Sequence, residues 1–99
     1  MEKEFLKDIV DTWGVENQID MVIEEMSELT KALIKLRRSA NKTEDIKSDA
    51  FNHVCEEIAD VENMLEQMRY IFSEDIIDKY KKEKIERLVE RLKNSKKKK

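Results

Sequence analysis

The chain contains no proline and a single glycine, Gly14, among its 99 residues. Tight turns between strands depend on these two residue types, because glycine reaches positive φ angles and proline fixes φ in the turn. Hairpin-rich sheets, sandwiches and barrels are therefore excluded, as are the glycine-rich phosphate loops of P-loop and dinucleotide-binding proteins. We expect an all-α protein.

Composition narrows the class of protein further. Charged residues make up 43% of the chain and hydrophobic residues 39%, an apolar share too large for a disordered chain. A net charge of -3 gives no basic surface for specific nucleic-acid binding. No apolar run is long enough for a membrane span or a secretory signal, so we expect a cytoplasmic protein without a membrane partner.

Apolar residues recur at intervals of three and four, which predicts helices. The predicted helices cover residues 2–13, 17–38, 48–72 and 74–93. Gly14 ends the first helix, and Ser73 caps the fourth. A polar loop over residues 41–47 joins the two long helices as an antiparallel hairpin, on which we expect a four-helix bundle to be built.

Residues 1–93 therefore form one predicted domain, and residues 94–99 form a lysine-rich basic tail. The tail is either a solvated chain end or a segment that binds polyanions. A domain this short has a thin core of its own. Because the long helices also carry extended hydrophobic seams, we expect a homo-oligomer, either a dimer or a tetramer.

Two acidic clusters lie at matching positions of the two long helices. Residues 24–28 (EEMSE) and 56–60 (EEIAD) are offset by 32 residues, as are the apolar positions around them. At about 100° per residue, Glu25 and Glu57 fall roughly 60–70° from the centre of the apolar stripe, at the edge of the seam. Glu24, the first acid of its cluster, points outward.

Folding the hairpin brings the clusters together. If the chain reverses near residue 44, Glu28 stands opposite Asp60, and a small shift of the turn instead brings Glu25 level with Asp60 and Glu28 level with Glu57. Carboxylates held this close repel one another and take up protons when shielded from water. A hard divalent cation relieves the repulsion, and oxygen-only ligands suit Mg²⁺ or Mn²⁺.

The residues leave alternatives to this cation site. The simplest is a solvated charged face, on which the acids pair with three basic residues, namely Lys31, Lys35 and Arg69. A di-iron bundle needs Glu three residues before His, but Ala50 occupies that position relative to His53. Zinc lacks thiol and imidazole ligands, since Cys55 and His53 are single. We therefore expect His53 to be a helix-surface or capping residue and not a metal ligand.

A cation held by carboxylates commonly binds phosphate oxygens and a water molecule. The fourth helix offers complementary charge, and Lys84 and Arg87 lie on one of its faces. These two residues are our candidate phosphate contacts. Trp13 is a candidate for stacking on a base, with packing as its alternative role.

Three segments carry a family resemblance: residues 13–18 (WGVENQ), 24–29 (EEMSEL) and 57–61 (EIADV). They resemble the MazG-like all-α nucleoside triphosphate pyrophosphohydrolases, whose signature is EExxE followed some tens of residues later by ExxD. Here 28 residues separate Glu28 from Glu57. Residues 84–88 (KIERL) also resemble the basic C-terminal helix of that family, so the likeness covers about residues 13–92.

The resemblance implies Mg²⁺-dependent hydrolysis of a nucleoside triphosphate to the monophosphate and pyrophosphate, in helical bundles assembled as dimers or tetramers. By motif position, the implied metal ligands are Glu25, Glu28, Glu57 and Asp60. The implied catalytic residues are Glu24, Glu25 and Glu57, and the expected substrate contacts are Trp13, Gln18, Lys84 and Arg87. The alternative hypothesis is a non-catalytic helical module that binds another protein.

Overall fold

The computed structural model describes residues 1–97, and every regular element in that range is helical. The elements are α1 (Lys3–Trp13), α2 (Val15–Arg38), a 3₁₀ turn (Ser39–Asn41), α3 (Glu44–Ile71) and α4 (Glu74–Lys97). The expected all-α class is confirmed. Lys98 and Lys99 of the predicted basic tail lie outside the described residues.

Gly14 separates α1 from α2, as predicted. Its φ of 86° is a backbone conformation that residues with a Cβ rarely adopt. Its N–H still donates to the carbonyl of Val10 at 2.8 Å, which completes the last turn of α1. Beyond this bend α1 contacts both α2 and α3, and its buried residues are Leu6 and Ile9.

The helices α2 and α3 form the body of the molecule and pack along each other as an antiparallel hairpin. Their facing positions alternate in steps of four and three, the spacing of coiled-coil seams. The seam residues, all buried or half-buried, are Gln18, Val22, Glu25, Leu29, Ala32 and Leu36 of α2, and Ala50, Val54, Glu57, Val61, Met64 and Met68 of α3. We call this set the seam.

A hydrogen bond across the seam reports the register of the hairpin. Gln18 donates from Nε2 to Oε1 of Gln67, and both side chains are buried. Val22, Met64 and Met68 form the apolar cluster beside this pair. Because a buried amide must find a partner, this bond favours one register over its neighbours.

The turn between α2 and α3 is shorter than the predicted loop over residues 41–47. Helix α3 begins at Glu44, four residues before the expected start at residue 48. Thr43 caps the helix, its hydroxyl accepting from the N–H of Ile46 at 3.4 Å. Acidic residues at positions 44 and 45 also favour the positive end of the helix dipole. These local effects outweigh the polar, loop-like composition of the segment.

Helix α4 differs from the other helices because none of its residues over Glu74–Lys97 is buried. Ser73 caps it as predicted, accepting from the N–H of Ile76 at 3.2 Å. Within the described part of the chain α4 contacts α3 alone. Arg69 of α3 ties down the start of α4 by bonds to Glu74, at 2.8 Å, and to Asp78.

The chain measures 47 × 40 × 20 Å because α4 leaves the hairpin instead of packing along it. Helix α4 also continues to Lys97, past the predicted end at residue 93, so residues 94–97 of the expected tail are helical. The four-helix bundle predicted for the chain and the predicted homo-oligomer both stay predictions. Over residues 1–97, no helix combines the length and the apolar character needed to cross a membrane.

Candidate metal centre

The hairpin has two unlike faces on either side of the seam. Since a helix turns by about 100° per residue and the two helices run antiparallel, residues just before each seam position share one face and residues just after share the other. The first face, here called the polar face, carries Glu24, Glu28, Lys31, Lys35, His53, Glu56 and Asp60. The opposite face, here called the outer stripe, carries the exposed side chains of Ile23, Met26, Leu33, Phe51, Ile58 and Leu65.

The structure brings three of the four predicted metal ligands together. Glu25, Glu57 and Asp60 each offer a carboxylate oxygen, and these oxygens lie within 4.8 Å of one another. The Gln18–Gln67 bond explains the meeting, because seven residues nearer the turn on each helix Glu25 lies level with Asp60. This is the shifted register anticipated from the sequence, and in it Glu28 lies level with Glu57.

Glu57 lies in the seam itself, so its predicted position at the edge of the seam is wrong. Only 7% of the residue is exposed. Hydrophobicity alone favours a stripe that includes Met26. In the structure Met26 points outward, and Glu25 lies between the helices. The two acids at equivalent helical positions therefore face the interior of the hairpin.

One oxygen of Glu57 has no partner. Its Oε2 is buried and accepts no hydrogen bond from any of the described residues. An unsatisfied buried acceptor costs about 1–3 kcal/mol, and more when it is charged. A stable protein tolerates such a group where a ligand completes it, so the orphaned oxygen is the feature of the site that most needs an explanation.

The pKa of Glu25 also indicates an excess of negative charge at this site. Its pKa is raised above the ordinary value because the neighbouring structure removes water from the carboxylate, and because the charges of Asp60, Glu57, Glu24 and Glu28 oppose its ionisation. The leading charge contributions to this shift all come from acidic residues. Both acidic clusters therefore act on one point between the helices.

The predicted charged-face alternative accounts for only part of the cluster. Lys31 pairs with Glu28 at 3.5 Å on the exposed polar face. Arg69 bonds to α4 instead, and Lys35 forms no ion pair with any described residue. Glu28 is thus the one cluster acid for which that alternative holds, while the seam acid Glu57 is left without a lysine or arginine partner in the described chain.

His53 lies closer to the site than the sequence led us to expect. Its Nε2 is 3.8 Å from Oε1 of Glu57, one helical turn away on α3. The donor atoms of His53, Glu56 and Glu57 also lie within 4.8 Å of one another, as a second group next to the first. The four-residue spacing between His53 and Glu57 was the sequence signal for this contact.

The expected substrate contacts are dispersed in the single chain. Trp13 is exposed at the end of α1, and Lys84 and Arg87 are exposed on α4, which contacts α3 alone. Gln18 is 3% exposed and its amide is bonded to Gln67. We therefore assign Gln18 to the register of the hairpin and not to a substrate.

The donor chemistry of the central group fits a hard divalent cation. Glu25, Glu57 and Asp60 offer carboxylate oxygens only, the ligand type that Mg²⁺ and Mn²⁺ prefer. A cation bound there would also supply a partner for the orphaned oxygen of Glu57 and would remove the repulsion acting on Glu25. Comparison with known proteins adds no further constraint, since no family model, no curated protein and no solved structure matches the chain.

Proposed function

We propose that this chain is a Mg²⁺-dependent nucleoside triphosphate pyrophosphohydrolase that releases pyrophosphate and a nucleoside monophosphate, in control of the nucleotide pool. The observation that carries the proposal is the buried, unpartnered carboxylate of Glu57 beside Glu25 and Asp60. Two matched acidic motifs, each placing one acid in the seam, form a cation site of the kind that phosphoryl chemistry requires.

The proposed ligands of Mg²⁺, or of Mn²⁺, are Glu25, Glu28, Glu57 and Asp60. When bound, the ion supplies charge neutralisation for the carboxylates and for the phosphate oxygens of the substrate. Glu24, on the polar face beside Glu25, accepts a proton from the attacking water and orients it. The water oxygen attacks the α-phosphorus, and the bond to the bridging oxygen of pyrophosphate breaks.

Substrate binding in this proposal uses more than one subunit. The outer stripe exposes Met26, Ile58 and Leu65 along the length of the hairpin, and contiguous apolar surface of this kind is characteristic of protein interfaces. We propose that it is buried in a homodimer or tetramer. Helix α4 of a neighbouring subunit then brings Lys84 and Arg87 to the phosphates, and Trp13 stacks on the base.

The activity is tested by the product released. Purified protein with Mg²⁺ is expected to release pyrophosphate, and no orthophosphate, from at least one member of a panel of ribo- and deoxyribonucleoside triphosphates. Glu57→Gln is expected to abolish release while the circular dichroism of the helices persists. If no nucleotide yields pyrophosphate with either Mg²⁺ or Mn²⁺, the proposal is wrong.

The proposed assembly is tested by adding one charge. Leu65→Glu places a carboxylate in the outer stripe, and Asn63→Glu adds the same charge on the polar face as a matched control. Light scattering is expected to give an oligomer for the parent and for the control, and a monomer for Leu65→Glu. A monomeric parent would contradict the assembly.

A second candidate function is a non-catalytic helical module that binds another protein. The exposed apolar residues of the outer stripe and of α4, among them Ile85 and Leu88, favour it. Thermal unfolding separates the two candidates, because a ligand that binds only the folded chain stabilises it by about 2.7 kcal/mol at 100 times its Kd. A module of this kind is indifferent to Mg²⁺, whereas the hydrolase is stabilised.

A further inference from the structure

The second donor group of the hairpin contains the only histidine of the chain. His53 Nε2 lies 3.8 Å from Glu57 Oε1, and Glu56 completes a set whose donor atoms are within 4.8 Å of one another. His53 and Glu56 are exposed, whereas Glu57 is buried. The group thus has one fixed member between the helices and two members that are free to adjust at the surface.

Glu57 belongs to both donor groups. Its other neighbours are Glu25 and Asp60, which form the central group with it. A carboxylate has two oxygens, and here Oε1 is the one near His53 while Oε2 is buried without a hydrogen-bond partner in the described chain. One carboxylate can therefore serve two cations, as in two-metal sites whose ions lie about 3.5–4 Å apart.

The contact between His53 and Glu57 along α3 leaves the carboxylate without a hydrogen bond from the imidazole. A distance of 3.8 Å is too long for a hydrogen bond, so the imidazole of His53 does not satisfy the carboxylate of Glu57. Metal–ligand bonds of about 2.1 Å hold two donors about 3–4.2 Å apart. Small rotations of the exposed side chains of His53 and Glu56 bring the group into that range.

We propose that His53, Glu56 and Glu57 form a second cation position that takes a divalent transition metal such as Zn²⁺ or Co²⁺ and shares Glu57 with the central cation. The imidazole decides the selectivity, because Mg²⁺ prefers oxygen ligands whereas Zn²⁺ and Co²⁺ accept nitrogen. The inference rests on the metal centre of the proposed function, but it does not depend on any nucleotide or on turnover.

The experiment follows His53 by NMR. The chain has one histidine, so untagged, ¹⁵N-labelled protein gives a single pair of ring-nitrogen signals. The exposed thiol of Cys55 is replaced by Ser to remove the sulfur ligand, and Mg²⁺ is kept in excess to occupy the central group. Addition of Zn²⁺ is expected to move the Nε2 signal at one equivalent per chain.

The matched variants are His53→Gln and Asp49→Asn. Asp49 lies on the polar face one turn before His53 and belongs to neither donor group. In calorimetric titration, we expect the affinity for this equivalent of Zn²⁺ to fall at least about tenfold in His53→Gln, because altering the environment of a bound metal typically costs at least this much. We expect the affinity to stay unchanged in Asp49→Asn.

The outcomes separate this inference from the proposed function. If Zn²⁺ moves the Nε2 signal in a protein that hydrolyses no nucleotide, the second cation position stands and the hydrolase proposal fails. If the protein releases pyrophosphate but Zn²⁺ leaves the His53 signals in place, or if His53→Gln binds Zn²⁺ as tightly as the parent, the second position is overturned.

Discussion

The seam between α2 and α3 contains two polar layers, and they differ in how their groups are satisfied. Near the open end of the hairpin, Gln18 and Gln67 are neutral, buried and hydrogen-bonded to each other. Closer to the turn, the layer around Glu57 is acidic, and one of its buried oxygens has no partner in the described chain. The two layers lie on the same helices and in the same register.

We infer that the amide layer serves the fold, and we propose that the acidic layer serves a ligand. A satisfied pair of amides fixes the register and completes its own hydrogen bonds. A layer of carboxylates without a countercharge lowers stability, as the raised pKa of Glu25 indicates. A substitution in one layer leaves the other intact, so its effect tests whether the two layers differ in role.

The largest effect is expected from Glu57→Gln, which keeps the size of the side chain and removes its charge. We expect pyrophosphate release to fall by at least about 100-fold, a loss typical for removal of one charge-stabilising group in an active site. Glu66→Gln makes the same change on an exposed part of α3 and is expected to retain activity. Equal activity of the two variants would refute the assignment of Glu57.

The amide layer is expected to respond in stability alone. Gln18→Leu leaves the buried amide of Gln67 without a partner, which costs about 1–3 kcal/mol in the free energy of unfolding. The double variant Gln18→Leu/Gln67→Leu removes both polar groups and is expected to recover most of that loss. Urea unfolding at one fixed protein concentration measures both. A double variant no more stable than the single one would show that the bond does not organise the seam.

Glu25→Gln is expected to stabilise the metal-free protein at neutral pH. The folded-state pKa of Glu25 is raised above its ordinary value of 4.5, so ionisation of this group opposes folding. The penalty is absent below the ordinary value and grows as the pH rises through the raised pKa, until the carboxylate is fully charged.

The pH series therefore has a definite direction. With a chelator present, the unfolding midpoint of Glu25→Gln is expected to exceed that of the parent at pH 7, and the gap is expected to close toward pH 4. A gap that widens on acidification would contradict the repulsion argued for the acidic layer.

The smallest effect is expected from Lys31→Ala. Lys31 pairs with Glu28 on the exposed polar face, and exposed ion pairs contribute about 0–1 kcal/mol. We expect a loss below about 0.5 kcal/mol in urea unfolding that disappears in high salt. A loss as large as that of Gln18→Leu would mean that the surface pair, and not the seam, holds this layer together.

Much of the fold follows from local sequence signals. Helical periodicity predicted the four helices, Gly14 marked the first bend, and Ser73 marked the cap of α4. The start of α3 was missed because residues 44–47 have a loop-like composition, although Thr43 was present to cap them. A glycine bend or a capping residue can be recognised within a few residues of sequence, so these features can be predicted without knowledge of the tertiary structure.

The position of the seam could not be predicted in the same way. On each long helix the predicted stripe and the seam share every second position, and at the positions between them hydrophobicity favoured Met26 over Glu25. Which stripe meets the neighbouring helix depends on the packing of both helices, including small residues such as Ala32. The departure of α4 from the hairpin is a long-range property of the same kind.

Of the candidate site, the acids were predicted and their environment was not. The matched spacing of the two clusters predicted that acids of the two helices meet, and Glu25, Glu57 and Asp60 lie together in the structure. The burial of Glu57 depends on the true seam and could not be predicted from its own helix. The approach of His53 follows from its four-residue spacing to Glu57 on α3, and this signal was overlooked. A shift of one residue in the predicted centre of the seam is enough to move an acid from the edge of the seam into its interior.

The most direct measurement is anomalous X-ray scattering from crystals grown or soaked with Mn²⁺. We expect an anomalous peak between α2 and α3, within bonding distance of the carboxylates of Glu25, Glu57 and Asp60. A structure at millimolar Mn²⁺ with no peak there, and with these side chains turned into solvent in every copy, would contradict it.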